Sequence, residues 1–496
     1  MIAATTFAGK RVALFGLGGS GLATARALRE GGADVAVWDD NLSARDKAAA
    51  EGFAPVDLAE ADWSSFSSFV LSPGVPLTHP EPHWTVKKAQ AAGVEIIGDV
   101  EIFCRERRKH APRAMFVAIT GTNGKSTTTA LTAHLFKSFG KDVQMGGNIG
   151  TPILSLAPLS DARVYVIELS TFQIDLTPSL DPSVGVLLNL TPDHIDRHGT
   201  MENYAGIKER LVAAADRAVI SIDDHYVREI AERRFAAGRE TVTISVEHAD
   251  MADGLVAQGS VIEHRSARVS TPLADLSGIG SLRGAHNAQN ALAAVAALGD
   301  LANDHARLKS ALQSFPGLAH RMENLGRLGR VLFVNDSKAT NADAAEKALL
   351  SFNDIFWIIG GKAKDGGIEP LRSLFPRVAK AYLIGAASDD FAQTLDGAVA
   401  YEKCGTLDVA TRAAARDAHR ILEEDGVELG RFGDLGDVGV ELEIHVGGDQ
   451  RIGMAPARQM IAGHAEEATE AELAPLRIIR ASHWTPPHSP GRSCGS

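Results

Sequence analysis

The chain has 496 residues, 45% hydrophobic and 23% charged, with a formal net charge of -12. That length excludes a single ordinary core, since roughly 150 residues make one domain, and the acidic balance gives no electrostatic reason to expect a nucleic-acid partner. Cys104, Cys404 and Cys494 are too scattered for a disulfide framework or zinc site, Met1 to Lys10 lacks a signal-peptide pattern, and no apolar run reaches membrane-spanning length, so a reducing cytoplasm is the expected location.

The first predicted strand, Arg11 to Phe15, runs into Gly16-Leu-Gly-Gly-Ser-Gly21, a helix over Gly21 to Gly31, and a second strand, Val35 to Trp38, ending at Asp39-Asp40. A G-x-G-x-x-G turn presents backbone amides to a pyrophosphate, and the acid closing the second strand commonly meets a ribose or base. A dinucleotide cofactor, a nucleotide-linked substrate and a tight turn without ligand all share this geometry. After a strand at Phe69 to Leu71, the charged run Arg105 to Pro112 reads as a linker.

The strand Met115 to Ile119 leads into Thr120-Gly-Thr-Asn-Gly-Lys-Ser-Thr127 and a helix over Thr127 to Phe139. Glycines 121 and 124 allow amides to turn around an anion, Lys125 adds positive charge, and Ser126 offers a hydroxyl to magnesium. The strict phosphate-loop pattern requires glycine where this chain has Ile119. Two more strands follow, Val164 to Glu168 and Val184 to Asn189. Glu168 closes a buried strand, where a carboxylate is costly unless it meets a cation. Asn189-Leu-Thr-Pro-Asp-His-Ile-Asp-Arg-His198 combines acids and histidines, and oxygen ligands suit magnesium, whose shell takes only one or two protein carboxylates besides phosphate oxygens and waters. A plain surface loop is the alternative.

Arg283-Gly-Ala-His-Asn-Ala-Gln-Asn290 opens a helix over Asn287 to Leu298, whose first-turn amides suit a nucleobase or ribose; Asn287 and Asn290 equally fit as helix caps. Phe315 to His320 reads as a second joint. Beyond it come His320-Arg321, a strand at Val331 to Asn335, the polar loop Asn335-Asp-Ser-Lys-Ala-Thr-Asn341, a helix over Asp343 to Leu350, a strand at Ile355 to Ile359, the turn Gly360-Gly-Lys-Ala-Lys364 and a strand at Tyr382 to Ile384. The alternation predicts an α/β protein with largely parallel sheets.

Taken in order, Thr120 to Thr127, Gly146-Gly-Asn-Ile-Gly150, Glu168-Leu-Ser, Asp193-His194, His286-Asn-Ala-Gln-Asn290, His320-Arg321 and Asn335 to Asn341 resemble the Mur ligases, ATP-dependent amino-acid ligases of bacterial cell-wall precursor synthesis. The likeness spans residues 10 to about 418. The first glycine turn and Glu168-Leu-Ser-Thr-Phe-Gln173 look most like the branch that joins D-glutamate to UDP-N-acetylmuramoyl-L-alanine. The resemblance implies three domains: Rossmann-like over 1–109 for the uridine nucleotide, P-loop ATPase-like over 110–317, and Rossmann-like over 318–418. It implies a monomer without nucleic-acid or membrane partners.

By matching motifs, Gly19, Ser20 and Asp39 would face the uridine diphosphate. Gly121, Thr122, Asn123, Gly124, Lys125, Ser126 and Thr127 would surround the ATP phosphates, with Asn290, Arg321 and Asp336 also on ATP. Ser126 and Glu168 would hold magnesium, Asn148 and His194 would lie near the substrate carboxylate and the metals, and Lys338, Thr340 and Lys364 would line the amino-acid side. Lys208 falls where the family carries a lysine carbamylated by carbon dioxide, an anionic ligand for a second magnesium. From sequence alone it reads as a helix-surface lysine.

After Ala418 the family pattern stops. The strand and Ser-Pro-Ala-x-Ala-Ser-x-Asp-x-Phe loop of the D-glutamate enzymes cannot be read, and residues 419–496 form an atypical ending with a short predicted strand at Glu441 to Val446. A reading-frame change accounts best for the abrupt junction. The expected consequences are a C-terminal sheet short of one strand and an impaired amino-acid site. Other readings stay open: an L-alanine-adding or tripeptide-joining ligase, a silent nucleotide-binding protein, or a nicotinamide oxidoreductase, which leaves the phosphate loop, Glu168 and Asp193-His194 unexplained.

Overall fold

The computed structural model describes residues 1–424 apart from 268, 329–330, 340–341 and 362–366, together with 477–480. The chain forms two compact units, Met1–Pro316 and Gly317–Ser496. Among the described residues no helix is long and apolar enough to cross a membrane.

The first unit holds two sheets. β1 (Arg11–Phe15), β2 (Asp34–Trp38), β3 (Ser68–Leu71) and β4 (Glu95–Ile97) pair in parallel in the order β2-β1-β3-β4. The second sheet contains β5 (Met115–Thr120), β6 (Asp142–Gly147), β7 (Arg163–Glu168), β8 (Val184–Leu187), β9 (Arg217–Ser221), β10 (Thr241–Ser245), β11 (Gly254–Gln258), β12 (Val261–Ser266) and β13 (Val269–Asp275). Its order is β13-β12-β11-β10-β9-β8-β5-β7-β6, parallel from β6 to β11 and antiparallel across the last two pairings.

Strands covered on both faces read as near-continuous apolar runs, which is why β5, β7 and β8 stood out in the sequence. Along β5 the side chains alternate. Val117 and Ile119 pack with the helices Lys125–Ser138 and Ala285–Leu298, while Phe116 and Ala118 join a core that includes Phe7, Val12 and Phe103 from the N-terminal part. Phe103 meets Phe116 and Tyr165 edge-on at centroid distances of 5.2 and 5.3 Å, so the two sheets share one apolar core.

The charged run expected as a linker instead forms the last turns of the helix Asp99–His110. Its charges are matched by the fold. Arg107 reaches Asp181 at 2.7 Å, Arg105 bonds Glu95 and Glu101 at 2.9 and 2.8 Å, and the buried Glu106 accepts the Thr6 N–H at 2.6 Å. Composition alone could not separate such a run from a solvated joint.

The second unit contains β14 (Glu323–Leu328), β15 (Val331–Asn335), β16 (Ile355–Gly360), β17 (Val378–Ile384), β18 (Tyr401–Gly405) and β19 (Arg477–Arg480), ordered β14-β15-β19-β16-β17-β18. The expected missing strand is corrected here: β19 lies between β15 and β16, antiparallel to both. β15 and β16 carry backbone donors and acceptors on the edges that face this slot, and a strand between them satisfies both. The sheet is consequently mixed rather than largely parallel. The strand predicted at Glu441 to Val446 lies outside the described residues.

Candidate active site

The phosphate-loop segment connects β5 to the helix Lys125–Ser138. Its last turn residue, Gly124, is the N-cap and is left-handed at φ 82°. A Cβ there would stand 2.3 Å from Asn290 Oδ1, so glycine is needed for conformation and for closeness. Thr122 N–H donates to the Asn189 carbonyl and Asn123 N–H to Asn189 Oδ1, both at 2.8 Å, while Lys125 Nζ donates to the Thr122 carbonyl at 2.7 Å. The loop is held from behind by the residues following β8.

Asn287 and Asn290 are not caps. The helix Ala285–Leu298 is capped at Gly284, with no side-chain cap bond. Asn290 instead accepts from Thr128 Oγ1 at 3.1 Å through Oδ1 and donates to Asn287 Oδ1 at 3.1 Å. Its amide thus lies against the phosphate-loop helix.

Glu168 ends β7 and is 1% exposed. Asn148 Nδ2 donates to its Oε1 at 2.9 Å, but Oε2 is buried without a hydrogen-bond partner. A buried, unanswered carboxylate oxygen at a strand end is costly and fits a cation. Among the described residues, no three His, Cys, Asp or Glu side chains converge into a metal cluster. A single unanswered carboxylate oxygen, together with the Ser126 hydroxyl, is the kind of donor set that magnesium, with few protein ligands, accepts.

Lys208 overturns its surface reading, because it is 2% exposed within the helix Met201–Ala214. Its Nζ donates to the Gly121 carbonyl at 2.8 Å and to Thr120 Oγ1 at 3.1 Å, directly beneath the phosphate loop. Burial pushes its pKa well below the ordinary lysine range, and the Lys125 charge adds to the effect, against Asp193 and Glu168. Both effects disfavour the ammonium ion relative to a lysine in water.

His194 sits in the left-handed region at φ 53°, with Nε2 3.6 Å from Asp193 Oδ2, and both side chains are substantially exposed. His198 is 4% exposed; its Nε2 bonds Thr171 Oγ1 at 2.8 Å and its ring stacks on Phe172 at 5.2 Å. Burial, reinforced by the charges of His194, Lys208 and Arg197, lowers the His198 pKa to about 4, so it is neutral at physiological pH. The segment is more than a surface loop. Of the two histidines in this segment the sequence reading gave a role to His194 alone, and the structure packs His198 into the interior beside it.

At the first glycine turn, Leu17 N–H donates to Asp39 Oδ2 at 2.6 Å and Asn41 N–H to Oδ1 at 2.8 Å. The helix Gly19–Glu30 has no side-chain cap; Gly19 is exposed and Ser20 half-buried at its start. Asp39 thus closes the turn, a structural duty beside its expected ligand role.

In the second unit, Lys338 N–H donates to the His320 carbonyl at 3.1 Å and Met322 N–H to Asp336 Oδ1 at 3.2 Å. These bonds bring the Arg321 and Lys338 segments together, with Asp336 buried and Lys338 exposed. Thr340 and Lys364 lie outside the described residues.

Residues 10–98 match the family described as Mur ligase MurD-like, N-terminal domain, and residues 119–298 match the Mur ligase middle domain. A UDP-N-acetylmuramoylalanine--D-glutamate ligase of Mesorhizobium japonicum is 61% identical over 418 residues, covering 84% of this chain and 90% of that protein. Its counterpart in Nitrobacter hamburgensis is 60% identical over 432 residues, covering 86% and 92%. The crystal structure of a UDP-N-acetylmuramate-alanine ligase from Thermotoga maritima aligns with a TM-score of 0.51 at 19% identity, covering 84% of this chain and 100% of that one. At that identity the likeness is one of fold.

Proposed function

This chain belongs to the Mur ligase family, and we propose that it joins D-glutamate to UDP-N-acetylmuramoyl-L-alanine, converting ATP to ADP and phosphate. The observation that carries the chemistry is the convergence of Lys125, the half-satisfied Glu168 and the buried Lys208 around one phosphate-loop geometry. The naming of the relatives supports the choice of D-glutamate over L-alanine or a tripeptide.

A carboxylate is a poor acyl donor because its oxygen leaves badly. In the proposed reaction, the substrate carboxylate oxygen attacks the γ-phosphorus of ATP, the bond to the bridging oxygen breaks, and ADP departs. The D-glutamate amine then attacks the acyl phosphate carbon, loses a proton and expels phosphate. Lys125 and the loop amides would bind the transferring phosphoryl group, where negative charge spreads over its oxygens. Magnesium, when bound, would neutralise phosphate charge, with Ser126 and Glu168 as its protein ligands. Asn148 would orient Glu168 through the bond already present between them.

Lys208 would act as a carbamate. Its lowered pKa favours the free amine, whose lone pair would attack carbon dioxide while an N–H proton passes to solvent, and the resulting anionic oxygens would serve, with His194, to hold a second magnesium. Gly19, Ser20 and Asp39 would bind the uridine diphosphate, Asn290, Arg321 and Asp336 the ATP, and Lys338, Thr340 and Lys364 the amino acid. The reading keeps functional domains at 1–109, 110–317 and 318–418, with 419–496 as an atypical ending, in a cytoplasmic monomer.

The test is phosphate release with ATP, magnesium and UDP-N-acetylmuramoyl-L-alanine, comparing D-glutamate with L-alanine, L-glutamate and no amino acid. Release specific to D-glutamate is the expected result. Folded, nucleotide-binding protein that releases none would overturn the ligase reading and point to the ending after 418 as the lesion.

A further inference from the structure

A chain of hydrogen bonds behind the phosphate loop has a direction, and that direction is set at its far end. Asp223 follows β9, and its carboxylate oxygens accept from Ser221 Oγ and Ser245 Oγ and from the N–H groups of Val246 and Glu247. An ionised carboxylate can only accept. Gln289 therefore turns its amide nitrogen toward it, donating to Asp223 Oδ2 at 2.8 Å and to Ser221 Oγ at 3.1 Å. That leaves Gln289 Oε1 pointing the other way, where it accepts from Asn189 Nδ2 at 3.0 Å.

Asn189 is then left with one orientation. Its Nδ2 also donates to the Asn123 carbonyl at 3.2 Å, and its Oδ1 accepts the Asn123 N–H at 2.8 Å. Reversing either amide would set donor against donor, a penalty incurred where Gln289 is buried and Asn189 half-buried. Both peptide groups of Asn123, in the middle of the loop, are clamped by a side chain whose polarity is fixed by Asp223, two residues removed along the chain of bonds.

We propose that Asp223 and Gln289 are positioning residues that set the geometry of the phosphate loop through Asn189, without touching the nucleotide. This inference rests on reading the loop as the ATP site. The bond polarity makes a reciprocal prediction. Asp223→Asn places a donor against either Gln289 or the Val246 and Glu247 amides, and Gln289→Glu places one carboxylate against another. Combining the two substitutions restores the sequence of donors and acceptors: the amide introduced at position 223 donates to the carboxylate introduced at position 289, which still accepts from Asn189.

The experiment measures equilibrium binding of magnesium-ATP to the full-length protein and the variants Asp223→Asn, Gln289→Glu, the double variant and Gln289→Met, with thermal unfolding recorded for each. Each single variant should bind ATP about tenfold more weakly, the scale of one charge-assisted hydrogen bond, and the double should recover to within roughly threefold of the unsubstituted protein. Binding of UDP-N-acetylmuramoyl-L-alanine should not change. Gln289→Met, close in shape and uncharged, tests the chain if a charged variant unfolds. Unaltered ATP binding in the folded single variants, or a double variant no better than the singles, would overturn the proposal. Unsubstituted protein that binds ATP but releases no phosphate with D-glutamate would sink the ligase reading and leave this one standing; absence of ATP binding would remove both.

Discussion

The two glycine turns of the first unit start from the same local pattern, a buried strand followed by a turn and a helix without a side-chain cap, yet their surroundings make them different instruments. At the first, the negative Asp39 closes the turn by accepting the Leu17 N–H at 2.6 Å. At the second, neutral amides from Asn189 and Asn290 surround the loop, Lys125 and Lys208 lie on it, and the nearby Glu168 has an unanswered oxygen. A turn closed by a carboxylate suits a ligand held by backbone amides and a ribose-binding acid. A turn with a cation on it suits charge that grows during a reaction. Local pattern makes an anion site possible, and the charges placed around it decide whether it binds or reacts.

The largest expected effect separates these roles. Lys125→Ala should lower turnover several hundredfold or more, about 2.7 to 4 kcal/mol in the barrier, while leaving affinity for the uridine substrate intact; near-normal phosphate release would remove Lys125 from the reaction.

At the first turn the corresponding damage should appear in folding. A Cβ on Gly21 would lie 1.8 Å from the Gly16 carbonyl oxygen, a backbone atom that cannot move aside without opening the turn. Gly21→Ala is expected to destabilise the first unit by roughly 3 kcal/mol in denaturant unfolding, and an unchanged midpoint would show that the turn has slack.

Asp99 opens the helix that joins the core shared by the two sheets, and burial raises its pKa from the usual 3.8 to about 6. Because the folded state holds the proton more tightly, its contribution favours folding when protonated and declines as pH rises from about 4 through 6. Asp99→Asn should therefore stabilise the protein on the order of 2 kcal/mol at pH 7.5 and much less at pH 4.5. Equal gains at both pH values would break this account.

The smallest effect returns to the turn closed by a carboxylate. Asp39→Asn keeps an acceptor but loses its charge, and should weaken uridine-substrate binding by about 1 kcal/mol with ATP binding unchanged. Equal weakening of both ligands would mean that the two turns are coupled.

Strand ends were the legible part of the site. Glu168 and the loop from Gly121 to Ser126 lie where apolar runs stop, because strands buried on both faces must be apolar until they reach the ligand edge. Lys208 was illegible as a buried group, since Glu209 and Arg210 follow it and a helical lysine ordinarily faces water, whereas its partners Thr120 and Gly121 lie far away in sequence. Asn287 and Asn290 look like caps in sequence, but Asn290 bonds the phosphate-loop helix and Asn287 supports it from within its own helix, and Gln289 gains its role only from Asp223, sixty-six positions away. β19 was missed because its slot between β15 and β16 is defined by residues far earlier in the chain.

The amino-acid sequence by itself determined the α/β alternation, the two glycine turns and the family motifs, since these follow from short-range periodicity and fixed spacing. Only the tertiary structure decided which charges are buried, which oxygen of Glu168 lacks a partner and which way the Asn189 amide points. Burial and hydrogen-bond polarity depend on neighbours brought together from distant strands, and no local run of residues contains them.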